Sequence, residues 1–219
     1  MPTRALVPPL LTILVALAGG AGAAGTEPPT NPHAFEVILL RHADKSLERV
    51  DYNLSAKGFQ RALALAQMIP ACLGRPSEII TFFLNPLTNK NARSYQSAVP
   101  LAVASGVDIA ISQASLDDSY GVGEGLRRRA ANTGSRQRVV LFWEHRRMPT
   151  LAKGLGWSGM KPIADDDFDR LYLFRFSAAN AKPEVTLYRQ SELFQQPCSR
   201  QAHLPWTDKG LPAGGHPQP

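Results

Sequence analysis

Short, nearly unbroken apolar runs alternate with longer amphipathic stretches along this chain. Phe35 to Arg41 (FEVILLR) is a β-rich apolar run, the mark of a strand buried on both faces. Ser55 then caps a helix in which Leu63, Leu65, Ala66 and Ile69 recur at near-helical spacing until Pro70 and Gly74. Glu78 to Leu84 (EIITFFL) predicts a second buried strand. Ala92 to Ser105 predicts a helix ended by Gly106, with Pro100 placed to kink it. Val107 to Ile111 reads as a short strand. Arg138 to Trp143 (RVVLFW) reads as a further buried strand, followed by a helix through Met148 to Leu155. Leu171 to Phe176 and Glu184 to Tyr188 read as closing strands. The alternation predicts an α/β three-layer sandwich, a mostly parallel central sheet with helices on both faces. In such sheets ligands bind beyond the carboxyl ends of the strands.

Before the first strand the pattern changes. Met1 to Arg4 is a short positive start, Ala5 to Ala18 is apolar apart from Pro8, Pro9 and Thr12, and Gly19 to Gly25 is all Gly and Ala. Ala21-Gly22-Ala23 fits a small-x-small cleavage site, so residues 1–23 read as a secretory signal peptide. The apolar run falls short of the roughly 20 residues that span a bilayer. No Cys follows it to carry a lipid. The expectation is therefore a periplasmic or secreted protein with no stable membrane insertion after cleavage. A Pro-rich linker over 24–34, a domain over 35–200 and a Pro/Gly-rich tail over 201–219 complete the expected organisation. Export permits a disulfide, and one structural bridge between Cys72 and Cys198 is favoured over two free thiols.

A chain of 219 residues with 44% hydrophobic content is enough for one ordinary domain and excludes global disorder. The formal net charge of +6 leans towards anionic partners, although ordinary surface composition accounts for it equally well. No basic run with interleaved aromatics is present, so no nucleic-acid partner is expected.

The candidate chemistry follows the strands. Arg41-His42-Ala43-Asp44-Lys45 comes after the first, Arg93 stands at a helix start after the second, and Glu144-His145 comes after VVLFW. Arginine suits phosphate because its planar fork makes paired, charge-assisted bonds to two oxygens. An imidazole nitrogen can attack phosphorus and later release the phosphoryl group to water.

These residues resemble a family. Leu40-Arg41-His42-Ala43 resembles the LxRHG signature of the histidine phosphatase superfamily, which includes the phosphoglycerate mutases. Leu54-Ser55-Ala56-Lys57-Gly58-Phe59-Gln60-Arg61-Ala62 resembles its LTxxGxxQA helix start, and Arg93-Ser94-Tyr95-Gln96-Ser97-Ala98 its RxxxTA segment. His145 falls where the second catalytic histidine belongs. The resemblance runs in order from about Phe35 to Leu155. It implies that His42 is phosphorylated while Arg41, Arg93 and His145 bind the phosphoryl oxygens. It also implies a carboxylic acid four residues before a G-x-x-E-G ending. Gly121-Val122-Gly123-Glu124-Gly125 fits that ending and singles out Asp117, with adjacent Asp118 and with Glu144 as further candidates. Glu144 is also a candidate for substrate binding. No metal and no cofactor is implied, and the expected partner is a small phosphorylated substrate.

The chain departs from the family at several positions. Ala43 replaces Gly, Arg61 replaces Gln, the spacing from Asn85-Pro86-Leu87 to Arg93 is longer, and Glu144 and Arg146 flank His145 where small residues are common. Arg127-Arg128-Arg129 reads as a solvated helix face. Asp165-Asp166-Asp167 lacks the spacing of a calcium loop and reads as an acidic capping loop. The function expected is phosphomonoester hydrolysis. A mutase and a non-catalytic phosphate-binding protein are the alternatives, and export argues against the mutase.

Overall fold

A computed structural model describes residues 35–46, 51–113, 118–133, 135–177, 180–202 and 204. The expected leader and linker, and the tail apart from residues 201, 202 and 204, lie outside the described residues. The elements in order are β1 (Phe35–Arg41), α1 (Ala56–Met68), β2 (Glu78–Thr81), α2 (Ala92–Ser105), β3 (Ile109–Ile111), α3 (Ser119–Asn132), β4 (Gln137–Trp143), α4 (Met148–Gly154), β5 (Arg170–Ser177), β6 (Asn180–Arg189), α5 (Gln190–Phe194) and α6 (Pro197–Arg200). A π-helical turn, Ile69–Leu73, extends α1 at Pro70.

The sheet order is β3-β2-β4-β1-β5-β6. β1 pairs parallel with β4, and β2 pairs parallel with β3 and β4. Only β5 runs against the rest, antiparallel to both β1 and β6. The side-chain alternation of the strands sorts the core into two layers. Val37 and Leu39 of β1 pack with Leu126 of α3 and Met148 and Leu151 of α4. Ile38 and Leu40 pack on the opposite face with Leu65 of α1 and Leu101 of α2. This is the expected three-layer α/β sandwich, and β1 is buried along its whole length.

The boundaries differ from expectation where tertiary contacts take over. β2 stops at Thr81, not Leu84. Phe82 still donates its N–H to the Phe142 carbonyl (2.9 Å) and packs edge-on to Trp143, but beyond it the chain turns. Asn85 closes that turn by accepting from the N–H groups of Leu87 and Thr88. α2 runs over Ala92–Ser105 as expected, with Pro100 inside it and Gly106 in the left-handed conformation (φ 61°) at its end. Arg127 to Arg129 belong to α3, where Glu124 pairs with Arg127 and Arg128, and Glu78 pairs with Arg129. Cys72 and Cys198 form a disulfide, with Cα atoms 5.4 Å apart, tying the π-helical turn to α6. Leu204 is buried in the layer below α1.

Candidate active site

β1 and β4 are parallel neighbours in register, Arg41 opposite Trp143. The residues that follow them therefore leave the sheet side by side at its carboxyl edge. The His42 N–H donates to the Trp143 carbonyl (3.2 Å), which locks the two strand ends together. Two layers of local structure then fix the turn after β1. The Ala43 N–H donates to Ser97 Oγ (2.9 Å) on α2. Ser55, capping α1, donates from its hydroxyl to the Asp44 carbonyl and accepts from the Gly58 N–H. Gly58 has no substitute here, because a Cβ would lie 2.1 Å from the Asp44 carbonyl oxygen. Ala43 is not among the described residues with positive φ, so alanine occupies this position without strain.

His42 is buried, 7% exposed. Its Nδ1 lies 2.8 Å from the Ala43 carbonyl. A carbonyl only accepts, so Nδ1 carries the proton and Nε2 presents its lone pair. Burial pulls the His42 pKa down to about 3 against the hydrogen bond to the Ala43 carbonyl, with Arg41, Arg93 and His145 adding to the fall. At neutral pH the ring is uncharged.

Arg41 is held by one flank only. Its Nη1 donates to the carbonyls of Ala164 and Asp167, both at 3.0 Å, and its guanidinium stacks on Phe168 at 3.9 Å from the ring centre. Nε and Nη2 are buried without a partner. Burial lowers the Arg41 pKa to about 10 against the attraction of Asp165, Glu144, Asp167 and Asp44, so the charge persists at neutral pH. Arg93, at the start of α2, donates from Nε to the Asn53 carbonyl (3.0 Å) and from Nη2 to the Asp51 carbonyl. Burial lowers its pKa as well.

His145 is buried, and each ring nitrogen faces a carboxylate. Nε2 lies 2.7 Å from Asp165 Oδ1. Nδ1 lies 3.0 Å from Glu144 Oε1, close enough for an ion pair yet out of line for a hydrogen bond. Burial pushes the Glu144 carboxyl up, but the neighbouring His145 and Arg146 outweigh it and hold it below its usual range. Behind the site, Arg61 donates from Nε to Asp44 Oδ2 (2.6 Å) and reaches Asp169 and Gln190. That is the use of an arginine where the resembling motif has Gln. It ties the turn after β1 to the far edge of the sheet.

Arg41, His42, Arg93, Glu144 and His145, expected from sequence, all line one cavity of about 130 Å³. Lys45, Tyr52, Asn91, Ser94 and Arg146 complete its wall. Among the described residues, eight buried side-chain polar atoms lack a hydrogen-bond partner, and five of them belong to this wall: two on Arg41, and one each on Asn91, Ser94 and His145. Such concentration is unusual, since buried polar groups are nearly always satisfied. Asp118 does not line the cavity. Its carboxylate lies against Gly121 at the start of α3. Asp117 lies outside the described residues. The glycines that pointed to it include Gly123, whose missing side chain admits the Leu151 carbonyl of α4.

Sequence reasoning missed the loop before β5. It read Asp165 to Asp167 as capping acids, yet this loop supplies the carboxylate on His145, the carbonyls on Arg41 and the Phe168 face beneath it. Nothing in local sequence signals the contacts on Arg41, which span more than 120 residues, or the His145–Asp165 pair, 20 residues apart. Asn91 and Ser94 were within reach of inference, because they flank Arg93.

No family model matches the chain, and no curated protein matches it in sequence. Among solved structures it is similar to the protein histidine phosphatase SixA complexed with tungstate, with a TM-score of 0.53 and 14% identity over 72% of this chain and 99% of that one. It is also similar to phosphoserine phosphatase from Entamoeba histolytica in complex with 3-phosphoglyceric acid, with a TM-score of 0.50 and 15% identity over 73% of this chain and 98% of that one. At these identities the likeness establishes the fold.

Proposed function

We propose that this chain, which has the histidine phosphatase fold, is a phosphomonoester hydrolase acting through a phosphohistidine at His42. One observation carries the reading. A buried, uncharged imidazole with a free Nε2 shares a cavity with a concentration of unpartnered polar atoms at the carboxyl edge of a parallel sheet. A phosphoryl group satisfies those atoms. Arg41 and Arg93 neutralise its oxygens, His145 joins them once a ring nitrogen exchanges its carboxylate for a phosphoryl oxygen, and the fixed donors stabilise charge in the transition state. His42 Nε2 attacks phosphorus as the ester oxygen departs. Water then attacks the phosphohistidine, releasing inorganic phosphate and regenerating the neutral ring.

The departing oxygen takes a proton from a carboxylic acid. Glu144 is favoured among the described residues, because it lines both this cavity and the larger one beside it, where the alcohol would lie. In this reading Glu144 gives its proton to the departing oxygen and takes one from the attacking water afterwards; a bound phosphoryl dianion acts on its carboxyl in the direction opposite to His145 and Arg146. Asp117 is the other candidate.

His42→Ala is expected to abolish hydrolysis of phenyl phosphate and to leave no acid-labile, base-stable phosphoenzyme. Near-normal activity in that variant removes the mechanism, and phosphate binding without turnover by the unaltered protein favours the non-catalytic reading. Glu144→Gln is expected to slow alkyl phosphates on the order of 100-fold or more while sparing phenyl phosphate, whose leaving group needs no proton. If Asp117→Asn shows that selectivity instead, the acid is Asp117.

We also propose export with cleavage after Ala23. The apolar leader and the Cys72–Cys198 bridge, a feature of oxidising compartments, support it. N-terminal sequencing of protein recovered from outside the cytoplasm is expected to begin at Ala24. An intact Met1 overturns this.

A further inference from the structure

The two carboxylates that face the buried ring of His145 stand in different places. Glu144, 3.0 Å from Nδ1, lines the phosphoryl cavity together with His145. Asp165, 2.7 Å from Nε2, lines neither that cavity nor the larger one beside it. The ring therefore has a cavity side at Nδ1 and an outer side at Nε2. Nδ1 is buried without a hydrogen-bond partner, so it is the nitrogen left open for a phosphoryl oxygen. The hydrolysis derived above gives Asp165 no part.

A carboxylate only accepts, so the short contact to Asp165 places a proton on Nε2. A phosphoryl dianion also accepts, so Nδ1 needs a second proton to bind it. A ring with its single proton on Nε2 would turn a lone pair towards the phosphoryl group. The doubly protonated ring needs an anion that does not compete for Nδ1. Glu144 fails that condition, because it faces Nδ1 itself and gives up its charge when it carries the proton for the departing oxygen. Asp165 meets it.

An exposed carboxylate is ordinarily mobile, and the Asp165 side chain is 63% exposed. Here its backbone is pinned. The Ala164 and Asp167 carbonyls both accept from Arg41 Nη1 at 3.0 Å, and the Asp167 N–H donates to the Ala164 carbonyl at 3.1 Å. Asp165 thus belongs to a closed turn whose two ends are fastened to the arginine of the site. Arg146 approaches both of its carboxylate oxygens at 3.5 Å. The hydrogen bond from His145, and then the charge of Arg146, hold the Asp165 carboxyl below its usual range, so it is ionised at neutral pH.

We propose that Asp165 is a positioning residue: by accepting from His145 Nε2 it fixes the ring and balances its charge, so that Nδ1–H donates to a phosphoryl oxygen. A carboxylate behind an imidazole acts in this way without reaching the substrate, setting the tautomer and stabilising the imidazolium. The inference rests on the hydrolase reading for the ligand of the site, but it concerns the binding of the phosphoryl group and not its transfer.

The test is orthophosphate binding by the full-length protein, measured by calorimetry, with NMR of nitrogen-labelled histidine rings in the same complex. Both ring nitrogens of His145 are expected to be protonated with orthophosphate bound. Asp165→Asn keeps an acceptor for Nε2 and removes the charge. It is expected to weaken orthophosphate about tenfold, the scale of one charge-assisted hydrogen bond, and to leave one His145 nitrogen unprotonated. Asp165→Glu restores the charge and is expected to restore both the affinity and the doubly protonated ring. Unchanged affinity in Asp165→Asn, or a doubly protonated His145 in that variant, overturns the proposal. Equal losses in Asp165→Asn and Asp165→Glu overturn it as well, because the side chain then only packs its loop. If the three proteins bind orthophosphate as expected while the unaltered one turns over no phenyl phosphate, the positioning role stands and the hydrolase reading falls.

Discussion

At the amino end of β1, Glu36 is 5% exposed, and at the carboxyl end Arg41 is 2% exposed. The two buried charges stand on one strand and are treated in opposite ways. Arg138 and Arg175 both pair with the Glu36 carboxylate, so its oxygens are matched from within the protein. Arg41 keeps two nitrogens unpartnered, beside His42 with its free Nε2. A buried charge whose partners are supplied by the fold belongs to the fold. A buried charge left with open donors is preorganised for something that arrives later.

Breaking the satisfied end is expected to have the largest effect on stability. Glu36→Ala leaves two arginines facing each other in a mostly buried setting and is expected to cost about 3 kcal/mol, towards the low end for breaking a buried pair because Arg175 is partly exposed. Urea unfolding measures it, and kcat/KM for phenyl phosphate should stay as it was. A stability change within experimental error would mean that the triad is solvent-compensated and that the contrast between the ends is smaller than drawn.

Acid sharpens the other end. The folded-state pKa of His42 is about 3, against about 6.5 in an unfolded chain. Above the unfolded value neither state binds this proton and the shift has no effect. Below it the unfolded chain takes up a proton that the folded protein refuses, so stability is lost as pH falls towards about 3. Between about pH 7.5 and about pH 4.5 the unaltered protein is expected to lose roughly 2–3 kcal/mol more than His42→Ala does. Parallel losses in the two proteins would show that His42 is protonated without penalty.

The smallest effect is expected at Ser94, whose buried hydroxyl has no partner and lines the cavity. Ser94→Ala should leave stability unchanged or slightly raised, because an unsatisfied group is removed, while phosphate binding measured by calorimetry weakens by about 1 kcal/mol. Loss of stability of that size would mean that Ser94 belongs with Glu36, as a group the fold satisfies.

Much of this was legible in the chain because the signals are local. The apolar runs located β1 and β4, Ser55 and Gly106 marked helix ends, and the positions at and just past strand ends in a parallel sheet picked out Arg41, His42, Glu144 and His145. Arg93 came from its motif. What failed was whatever depended on approach from a distant segment. The end of β2 was overrun by three residues, because EIITFFL continues to look like a strand after its neighbours have stopped pairing. The loop holding Arg41 was read as a capping loop, because nothing in Ala164 to Phe168 betrays that its carbonyls and ring face a residue on β1.

Periodicity, turn residues and motif spacing therefore determined the layer architecture, the edge of the sheet that carries the site and the residue types gathered there. Only the tertiary structure decided the state of those residues: which nitrogen of His42 is free, which atoms of Arg41 lack partners, and which carboxylates face His145. The reason is physical. Secondary structure and its order follow from backbone sterics and local burial, which a sequence states directly. Protonation and hydrogen-bond satisfaction depend on desolvation and on groups within a few ångströms, and here those groups come from segments far apart in the chain.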